Sequence, residues 1–352
     1  MPENQWHRRK LSETWLDAWR SSDFWKRNQP ESHFHGLATV GTLFATAVLQ
    51  LARERGLRRI IDIGAGHGAL LNRLHTLDPT LDLVGIDQRP QPPGCPGTWW
   101  MSQWSTGSWS PGLEPLATEP ALIVALELLD DIPAPVVQRV DGVWRHQCPD
   151  GSLGPAIHDA EVSWLERWWD EGVPHAEVGH GRDSAWTAIA RAASPGSTLL
   201  MVDYGHIRGE RRPTFTAHRA GHMIDPARLE PSDVGSVNLT AHVAVDAVDA
   251  AMRNAGAERH AMDRVRNVIA QMDSLAPHAP SAPDALTDLA RRGERHFYNG
   301  PAGDFWWLCH TMGPCARRTT SGSAPWAPPF PARNAWTWVS TIRHTPGCWN
   351  CT

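Results

Sequence analysis

A glycine-rich turn constrains the fold of this chain more than any other stretch of its sequence. Three isoleucines between residues 60 and 63 lead into the turn, and leucines at helical spacing follow it. Gly64, Gly66 and Gly68 form a GxGxG pattern. Because glycine lacks a Cβ atom, a ligand can approach the main chain, and the first amides of the following helix point towards it. The stretch therefore predicts a buried strand, a ligand-binding turn and a helix.

The glycine spacing and two acidic residues separate the candidate ligands. A dinucleotide site would need GxGxxG, which this turn lacks. Asp62 lies inside the first apolar run, and Asp87 ends a second, where its two oxygens could accept from both ribose hydroxyls. These features favour S-adenosylmethionine, and a turn without a ligand stays the alternative. The residues predicted to hold this cofactor are Asp62, Gly64, Ala65, Gly66, Gly68, Asp87 and Glu127.

Strand and helix patterns alternate along most of the chain. The run from Ala121 to Leu126 is apolar throughout, as in the central strand of a parallel sheet, and Leu199 to Val202 repeats the pattern. The alternation predicts an α/β fold with a doubly wound, mostly parallel sheet. Further predictions are an amphipathic helix over 5–28, a hairpin over 136–145, a long loop over 211–233, an added strand over 237–243 and a last strand at 306–308.

These patterns suggest a division of the chain into four parts. Residues 1–35 are predicted to form an N-terminal helical segment, and 36–260 the cofactor-binding core with insertions. Residues 261–314 continue the same fold with helices and a strand. From 315 to 352 the composition shifts to Pro, Ser, Thr and Trp, which predicts a disordered tail.

Composition limits the partners and the location. The formal net charge of −5 argues against a duplex nucleic-acid binder, so no nucleic-acid partner is expected. No apolar run is long enough for a membrane span, and the first ten residues lack a hydrophobic signal region. We therefore expect a cytoplasmic protein without a membrane partner, and a homodimer is compatible with the sequence.

Six cysteines are too few and too scattered for a disulfide framework in 352 residues. Cys348 and Cys351 form a CxxC pair, which together with Cys309 and Cys315 has the composition of a four-thiolate zinc site. Because only one pair has ligand spacing, reduced thiols and no metal are the favoured interpretation.

Polar residues crowd the ends of two apolar runs and are the candidate catalytic groups. Glu127 and Asp130 follow the run that ends at Leu126, where open α/β sheets bind ligands, and Asp203 ends another run. Paired carboxylates bind a guanidinium in a bidentate way and can orient or deprotonate one nitrogen. The alternative for Asp130 is a helix cap. His206 and His242 are candidate bases near neutral pH, or structural histidines.

In this order the motifs resemble the MidA-like family of S-adenosylmethionine-dependent methyltransferases, and most closely its actinobacterial branch. The resemblance covers about residues 12–312 and implies a Rossmann-like class I methyltransferase core with an N-terminal helical brace and inserted and C-terminal α+β additions. The matching pieces are 33–35, 62–68, 85–87, 127–133, 177–179 with Arg182, Asp183 and Trp186, 202–206, and 239–243.

The resemblance also implies an activity. The family includes the mitochondrial complex I assembly factor that methylates a protein arginine, so it implies transfer to a side-chain nitrogen of a protein or peptide, with arginine favoured. Leu126, Asn238 and His218 depart from the family's usual Asn, Asp and Tyr at these places. These departures leave two alternatives open: a methyltransferase for a small natural product, and a cofactor-binding assembly factor without turnover.

Overall fold

The computed structural model describes residues 13–28, 36–105, 107–229, 231–275 and 285–313. The strands are β1 Arg59–Ile63, β2 Asp82–Asp87, β3 Thr98–Met101, β4 Gln103–Ser105, β5 Ser108–Ser110, β6 Leu122–Leu126, β7 Val136–Val140, β8 Val143–Gln147, β9 Leu153–Ala156, β10 His175–Glu177, β11 Thr198–Asp203, β12 Gly205–His206, β13 Thr216–Arg219, β14 His222–Ile224, β15 Asn238–Thr240, β16 Val243–Ala244, β17 Ala257–Arg264 and β18 Trp306–Met312. The helices are α1 Trp15–Ser21, α2 Phe24–Arg27, α3 Leu43–Glu54, α4 Ala69–Leu77, α5 Asp159–Trp168, α6 His180–Ala192, α7 Val245–Asn254, α8 Val265–Leu275 and α9 Ala285–Asn299.

A seven-stranded sheet in the order β17-β18-β11-β6-β1-β2-β3 forms the centre of the fold. The five strands from β11 to β3 are parallel, whereas β18 runs antiparallel to both β11 and β17. This is the doubly wound, mostly parallel α/β sheet that the sequence predicts, and it has the class I methyltransferase arrangement. Because parallel strands share one carboxyl edge, the residues after β1, β2, β6 and β11 meet there.

Both faces of the sheet are buried, and successive side chains of each strand supply opposite faces. On one face Ile60 and Val124 pack with Phe44 of α3 and Leu70 of α4. On the other face Ile61 and Ile123 pack with Trp186 of α6 and Val248 of α7. Continuous apolar strands with helices on both sides are what a two-sided core requires.

The remaining strands build small sheets next to that carboxyl edge. Their orders are β10-β7-β8-β9, β14-β13-β15, β12-β16 and β4-β5. The predicted hairpin around Asp141 and Gly142 is confirmed as β7 and β8, which pair antiparallel. The predicted last strand is confirmed as β18, although it extends further, to Met312.

Three sequence predictions were wrong in their details. The predicted loop over 211–233 contains a hairpin, because β13 pairs with β14 across Ala220 and Gly221, whose φ values are +50° and +78°. The predicted strand over 237–243 is two short strands, β15 and β16. The predicted helix over 5–28 is two helices within the described residues, α1 and α2, separated by Ser22 and Asp23.

Some predictions fall outside the described residues. Residues 33–35 of the family resemblance and the predicted disordered tail from 315 to 352, with its CxxC pair, belong to this group. The described helices include none that is long and apolar enough to cross a membrane.

Candidate active site

The glycine turn after β1 adopts a conformation that suits glycine. Gly64, Gly66 and Gly68 have φ values of +77°, +59° and +73°, in the left-handed region that glycine adopts without strain. The amides of Gly64 and Ala65 donate to the Ile86 carbonyl at 2.8 and 3.2 Å, which ties the turn to the end of β2. A Cβ atom at Gly68 would overlap the Cys95 Sγ atom. Gly68 thus packs against Cys95 and, unlike Gly64 and Gly66, does not line the cavity described below.

Asp87 fixes the turn in this position. Its Oδ2 accepts from the Gly66 amide at 2.9 Å, and its Oδ1 accepts from the Arg89 amide at 2.9 Å and from Arg89 Nε at 3.0 Å. Each carboxylate oxygen can accept more than one hydrogen bond, so capacity remains for the predicted ribose hydroxyls. The Asp62 side chain lies beneath the turn, and burial, helped by the charge of Asp87, raises the pKa of Asp62 to about 7.

The turn borders a cavity of about 380 Å³, here called the cofactor cavity. It is lined by Asp62, Gly64, Ala65, Gly66 and Asp87 from the predicted set, by Ser102, Gln103 and Trp104 after β3, by Trp19, Trp25 and Lys26 from the N-terminal helices, and by Leu126, Glu127, Leu128, Asp131 and Asn238. Bare glycine amides, a carboxylate at the tip of β2 and an aromatic wall match the groups of a nucleoside with a charged tail. These residues fit S-adenosylmethionine.

Glu127 begins the acidic segment after β6 in a strained conformation. Its φ of +51° is unusual for a residue with a long side chain and marks a position held by its surroundings. The Glu127 amide donates to the Val202 carbonyl at 2.9 Å, and its Oε1 accepts from the Leu37 amide at 3.1 Å. Burial, together with the charge of Asp130, raises the pKa of Glu127 to about 8.

Asp203 organises the loop that carries the other acids. Its Oδ2 accepts from the amides of Leu129 and Asp130 at 2.8 and 3.3 Å. Asp130 in turn accepts from the Thr240 hydroxyl at 2.9 Å. The helix-cap alternative for Asp130 is wrong, because the next element along the chain is the strand β7. Asp203 itself is fully buried and lines neither the cofactor cavity nor the second cavity described below.

Arg182 is the counter-charge of this acidic cluster, and its role could not be derived from its spacing. The guanidinium donates to the main-chain carbonyls of Asp130 (2.6 Å), Ile132 (3.0 Å), Ala241 (2.8 Å) and His242 (3.1 Å). Burial raises the pKa values of Asp130, Asp131 and Asp203, and the charge of Arg182 partly opposes this effect. The cluster thus keeps several acids within a small volume around one fixed cation.

A second cavity of about 700 Å³, here called the acceptor cavity, lies on the other side of the acidic segment. Its wall includes the carboxylates of Glu127, Asp130 and Asp131, the rings of Tyr204, Phe215, His218 and His242, and Arg212, Met223, Asn238 and Thr240. Glu177, for which the sequence predicts no separate role, holds one wall by accepting from the amides of Thr214 and Phe215 at 2.9 Å each. Glu127, Asp131 and Asn238 line both cavities.

The two candidate histidines lie near each other but in different surroundings. His242 lines the acceptor cavity and stacks on Tyr204 with ring centroids 6.2 Å apart. His206 is buried against Trp169 and is absent from the wall of that cavity. Burial lowers the pKa of His206 to about 3 and of His242 to about 4, with nearby arginines adding to both shifts. Both values lie below the neutral range assumed for a base.

The departures from the family pattern lie at the two cavities. Leu126 lines the cofactor cavity, and His218 lines the acceptor cavity. Asn238 lines both, and its side chain hydrogen-bonds to the Asp131 carboxylate. Asn238 replaces the family's usual Asp and so removes a carboxylate from this place. Asp131, which was not selected from the sequence, supplies a carboxylate beside it.

Comparisons with known proteins agree with this geometry. Residues 97–262 match the profile of a family described as "Putative S-adenosyl-L-methionine-dependent methyltransferase". The match, which covers a little under half of the chain, indicates an S-adenosylmethionine-dependent methyltransferase. The matched region includes the acidic segment, Arg182 and Asn238, whereas the glycine turn precedes it. No curated protein matches the methyltransferase.

Two solved structures share the fold of the methyltransferase. One is a "likely methyl transferase" from Burkholderia thailandensis bound to S-adenosyl-homocysteine, with 21% identity, a TM-score of 0.61, and 88% of this chain and 87% of that chain covered. The other is a native crystal structure of an uncharacterized protein from Burkholderia thailandensis, with 21% identity, a TM-score of 0.58 and the same coverage. At this identity the likeness shows the class I fold and leaves the acceptor open.

Proposed function

We propose that this methyltransferase methylates a side-chain nitrogen of a protein or peptide, with arginine as the favoured acceptor. The observation that carries the proposal is the acidic acceptor cavity, which meets the cofactor cavity at Glu127, Asp131 and Asn238. Three acidic residues in one wall, whose pKa values burial raises, favour a cationic acceptor whose charge would offset that burial, and a guanidinium matches paired carboxylates in shape as well as charge.

The rings in the same wall suit the rest of an arginine side chain. Tyr204, Phe215 and His242 offer apolar faces to a methylene stem and π faces to a planar cation. Met223, at 75% exposure, stands at the outer part of this wall. An acceptor delivered on a larger chain could therefore enter side chain first while its main chain stays outside.

S-adenosylmethionine, when bound, supplies an electrophilic methyl group on a sulfonium. The residues that would hold it are the glycine turn, Asp87 and Trp104. The protein's own contribution is to bind the acceptor, align its nitrogen and receive a proton, which is mostly a matter of positioning. The strained Glu127, fixed by the Leu37 amide, is suited to orient a nitrogen between the two cavities.

The relative from Burkholderia thailandensis bound to S-adenosyl-homocysteine supports the cofactor assignment. A small-molecule acceptor is the second candidate, because a cavity of about 700 Å³ falls in the range of small-ligand sites. An assembly factor without turnover is the third possibility that the test must separate.

The test uses the purified full chain, methyl-tritiated S-adenosylmethionine and three peptide libraries that differ at one central position. That position holds arginine, lysine or citrulline, which has the shape of arginine without its charge. We expect label in the arginine library, at least 100-fold above the citrulline library. Label only in low-mass compounds of a cell extract would favour the small-molecule reading. Binding of S-adenosylhomocysteine without any labelling would favour the assembly factor.

A further inference from the structure

The junction of the two cavities is the place where an acceptor atom must lie, because a transferred methyl group has to pass from one cavity to the other. Within the described ranges three residues line both cavities, Glu127, Asp131 and Asn238. Leu126 and Leu128 lie on the cofactor side alone, and Asp130 on the acceptor side alone. A group that touches the reacting nitrogen should therefore come from this set of three.

The polar atoms of these residues are not equally engaged. Glu127 Oε1 already accepts from the Leu37 amide. Asn238 hydrogen-bonds to the Asp131 carboxylate, while the Oδ1 atom of Asp131 is buried and has no hydrogen-bond partner among the described residues. A buried carboxylate oxygen without a partner is rare in a folded protein and calls for an external donor.

The neighbouring Asp130 is engaged by the protein itself. It is 6% exposed and lines the acceptor cavity, one of its oxygens accepts from the Thr240 hydroxyl, and its side chain shares a hydrogen bond with Asp203. Asp131 therefore offers the unengaged carboxylate oxygen at the junction. A cationic group with several N–H donors, such as a guanidinium, could donate to it.

We propose that Asp131, held by Asn238, is a further catalytic residue whose Oδ1 binds the acceptor nitrogen at the junction of the two cavities. This inference rests on the proposed function. The acceptor nitrogen forms a C–N bond as the methyl C–S bond breaks, the sulfur leaves as a neutral thioether, and the electron pair comes from the nitrogen. The bound cation keeps Asp131 ionised against the effect of burial, and one N–H proton moves to this carboxylate and then to water, so the methylated guanidinium keeps a single positive charge.

Asn238 has a defined part in this arrangement. Its side chain hydrogen-bonds to the Asp131 carboxylate, so the pair presents one carboxylate and one amide at the junction. Asn and Asp have nearly the same shape. Exchanging the two residues, by Asp131→Asn together with Asn238→Asp, should place the carboxylate at position 238 and the amide at position 131. The junction then still holds one carboxylate and one amide.

The first experiment measures binding, so it does not depend on turnover. N-acetyl-glycyl-arginyl-glycinamide is titrated by calorimetry into the full chain saturated with S-adenosylhomocysteine. We expect Asp131→Asn to weaken peptide binding at least tenfold while S-adenosylhomocysteine affinity stays within threefold of wild type. Asp131→Ser repeats the comparison should Asp131→Asn fail to bind S-adenosylhomocysteine. The matched control is Asp225→Asn, which also removes a carboxylate from the acceptor cavity wall, but away from the junction.

The second experiment measures methylation of the same peptide. We expect Asp131→Asn to lower kcat by about 100-fold, the usual contribution of a positioned proton acceptor. The double variant Asp131→Asn with Asn238→Asp should regain at least tenfold of that loss. A purely structural role for Asp131 would not produce recovery from the exchange.

The outcomes separate this inference from the function on which it rests. Wild type that fails to bind the arginine peptide overturns the proposed acceptor class and this inference together. Wild type that binds the peptide, with Asp131→Asn within threefold of it in both binding and kcat, overturns the inference alone. The inference is also overturned if the double variant is no better than Asp131→Asn.

Discussion

Arg182 Nη2 donates to the main-chain carbonyl of Asp130 at 2.6 Å, and this contact ties helix α6 to the acidic segment after β6. The same guanidinium also reaches the carbonyls of Ala241 and His242, before β16. One buried side chain therefore connects three elements that the sequence places far apart. It also provides the positive charge beside Asp130, Asp131 and Asp203.

Replacing Arg182 should therefore destabilise the fold strongly. Arg182→Met keeps much of the volume but leaves four carbonyls and several acids without their partner, and we expect the free energy of unfolding to fall by about 3–5 kcal/mol. Urea unfolding monitored by tryptophan fluorescence checks this. Arg191→Met, at an exposed position of the same helix, is the control and should cost less than about 0.5 kcal/mol. Equal losses in the two variants would contradict the role given to Arg182.

The parts of the fold with a strong apolar signal could be predicted from the sequence. The strands β1, β2, β6 and β11 are apolar on both faces, so their parallel pairing and the carboxyl edge followed directly. The β13–β14 hairpin was missed because its sequence is mostly polar and its turn is Ala-Gly rather than Asn-Gly. Strand β17 was missed as well, because most of its side chains are polar and only Ala257 is fully buried.

The site was predicted in outline but not in its connections. Glu127 and Asp130 line the acceptor cavity as expected for residues after a central strand, whereas Asp203 turned out to support their loop from below. The role of Arg182 was out of reach because its partners are main-chain carbonyls, which no residue type marks. Asp131 could be recognised as a site residue only from the structure, because its partner Asn238 lies more than a hundred residues later in the sequence.

The raised pKa of Glu127 predicts a pH dependence of stability with a definite sign. The ordinary pKa is 4.5, and burial raises it to about 8 in the folded protein, so between these values the folded state binds the extra proton. Stability is therefore greatest below pH 4.5 for this group and falls as pH rises towards 8. Glu127→Gln should remove about 1 kcal/mol per pH unit of this slope between pH 5 and 8.

Urea unfolding midpoints at several pH values measure the slope. Asp62 and Asp183, whose pKa values burial raises to about 7, add slopes of the same sign, so the slope should decrease rather than vanish in Glu127→Gln. The exposed Glu166→Gln is the control and should leave the slope unchanged. A Glu127→Gln protein with the wild-type slope would show that Glu127 ionises as an ordinary glutamate.

The conformation of the glycine turn predicts a selective effect on cofactor binding. Gly68→Ala adds a Cβ atom to a residue with φ of +73° and forces it against Cys95 Sγ. We expect a loss of about 2 kcal/mol in stability and at least tenfold in S-adenosylhomocysteine affinity by calorimetry. Gly56→Ala is the matched control, because its φ of +66° gives similar strain with no atom within 4 Å of the new Cβ. It should cost about 1 kcal/mol and leave the affinity unchanged.

The low pKa values of His206 and His242 predict that neither ring gains a proton in the neutral range. Burial lowers the pKa of His206 to about 3 and of His242 to about 4, so both should stay uncharged from pH 8 down to pH 5.5. Proton NMR of the imidazole Cε1–H signals, assigned with His206→Gln and His242→Gln, checks this directly. The signals should shift by less than a tenth of the full titration range, and the pH dependence of methyl transfer near neutrality should then follow Glu127 and its acidic neighbours. A midpoint between pH 6 and 8 for either ring would instead return that histidine to the list of candidate bases, with His242 placed to act in the acceptor cavity.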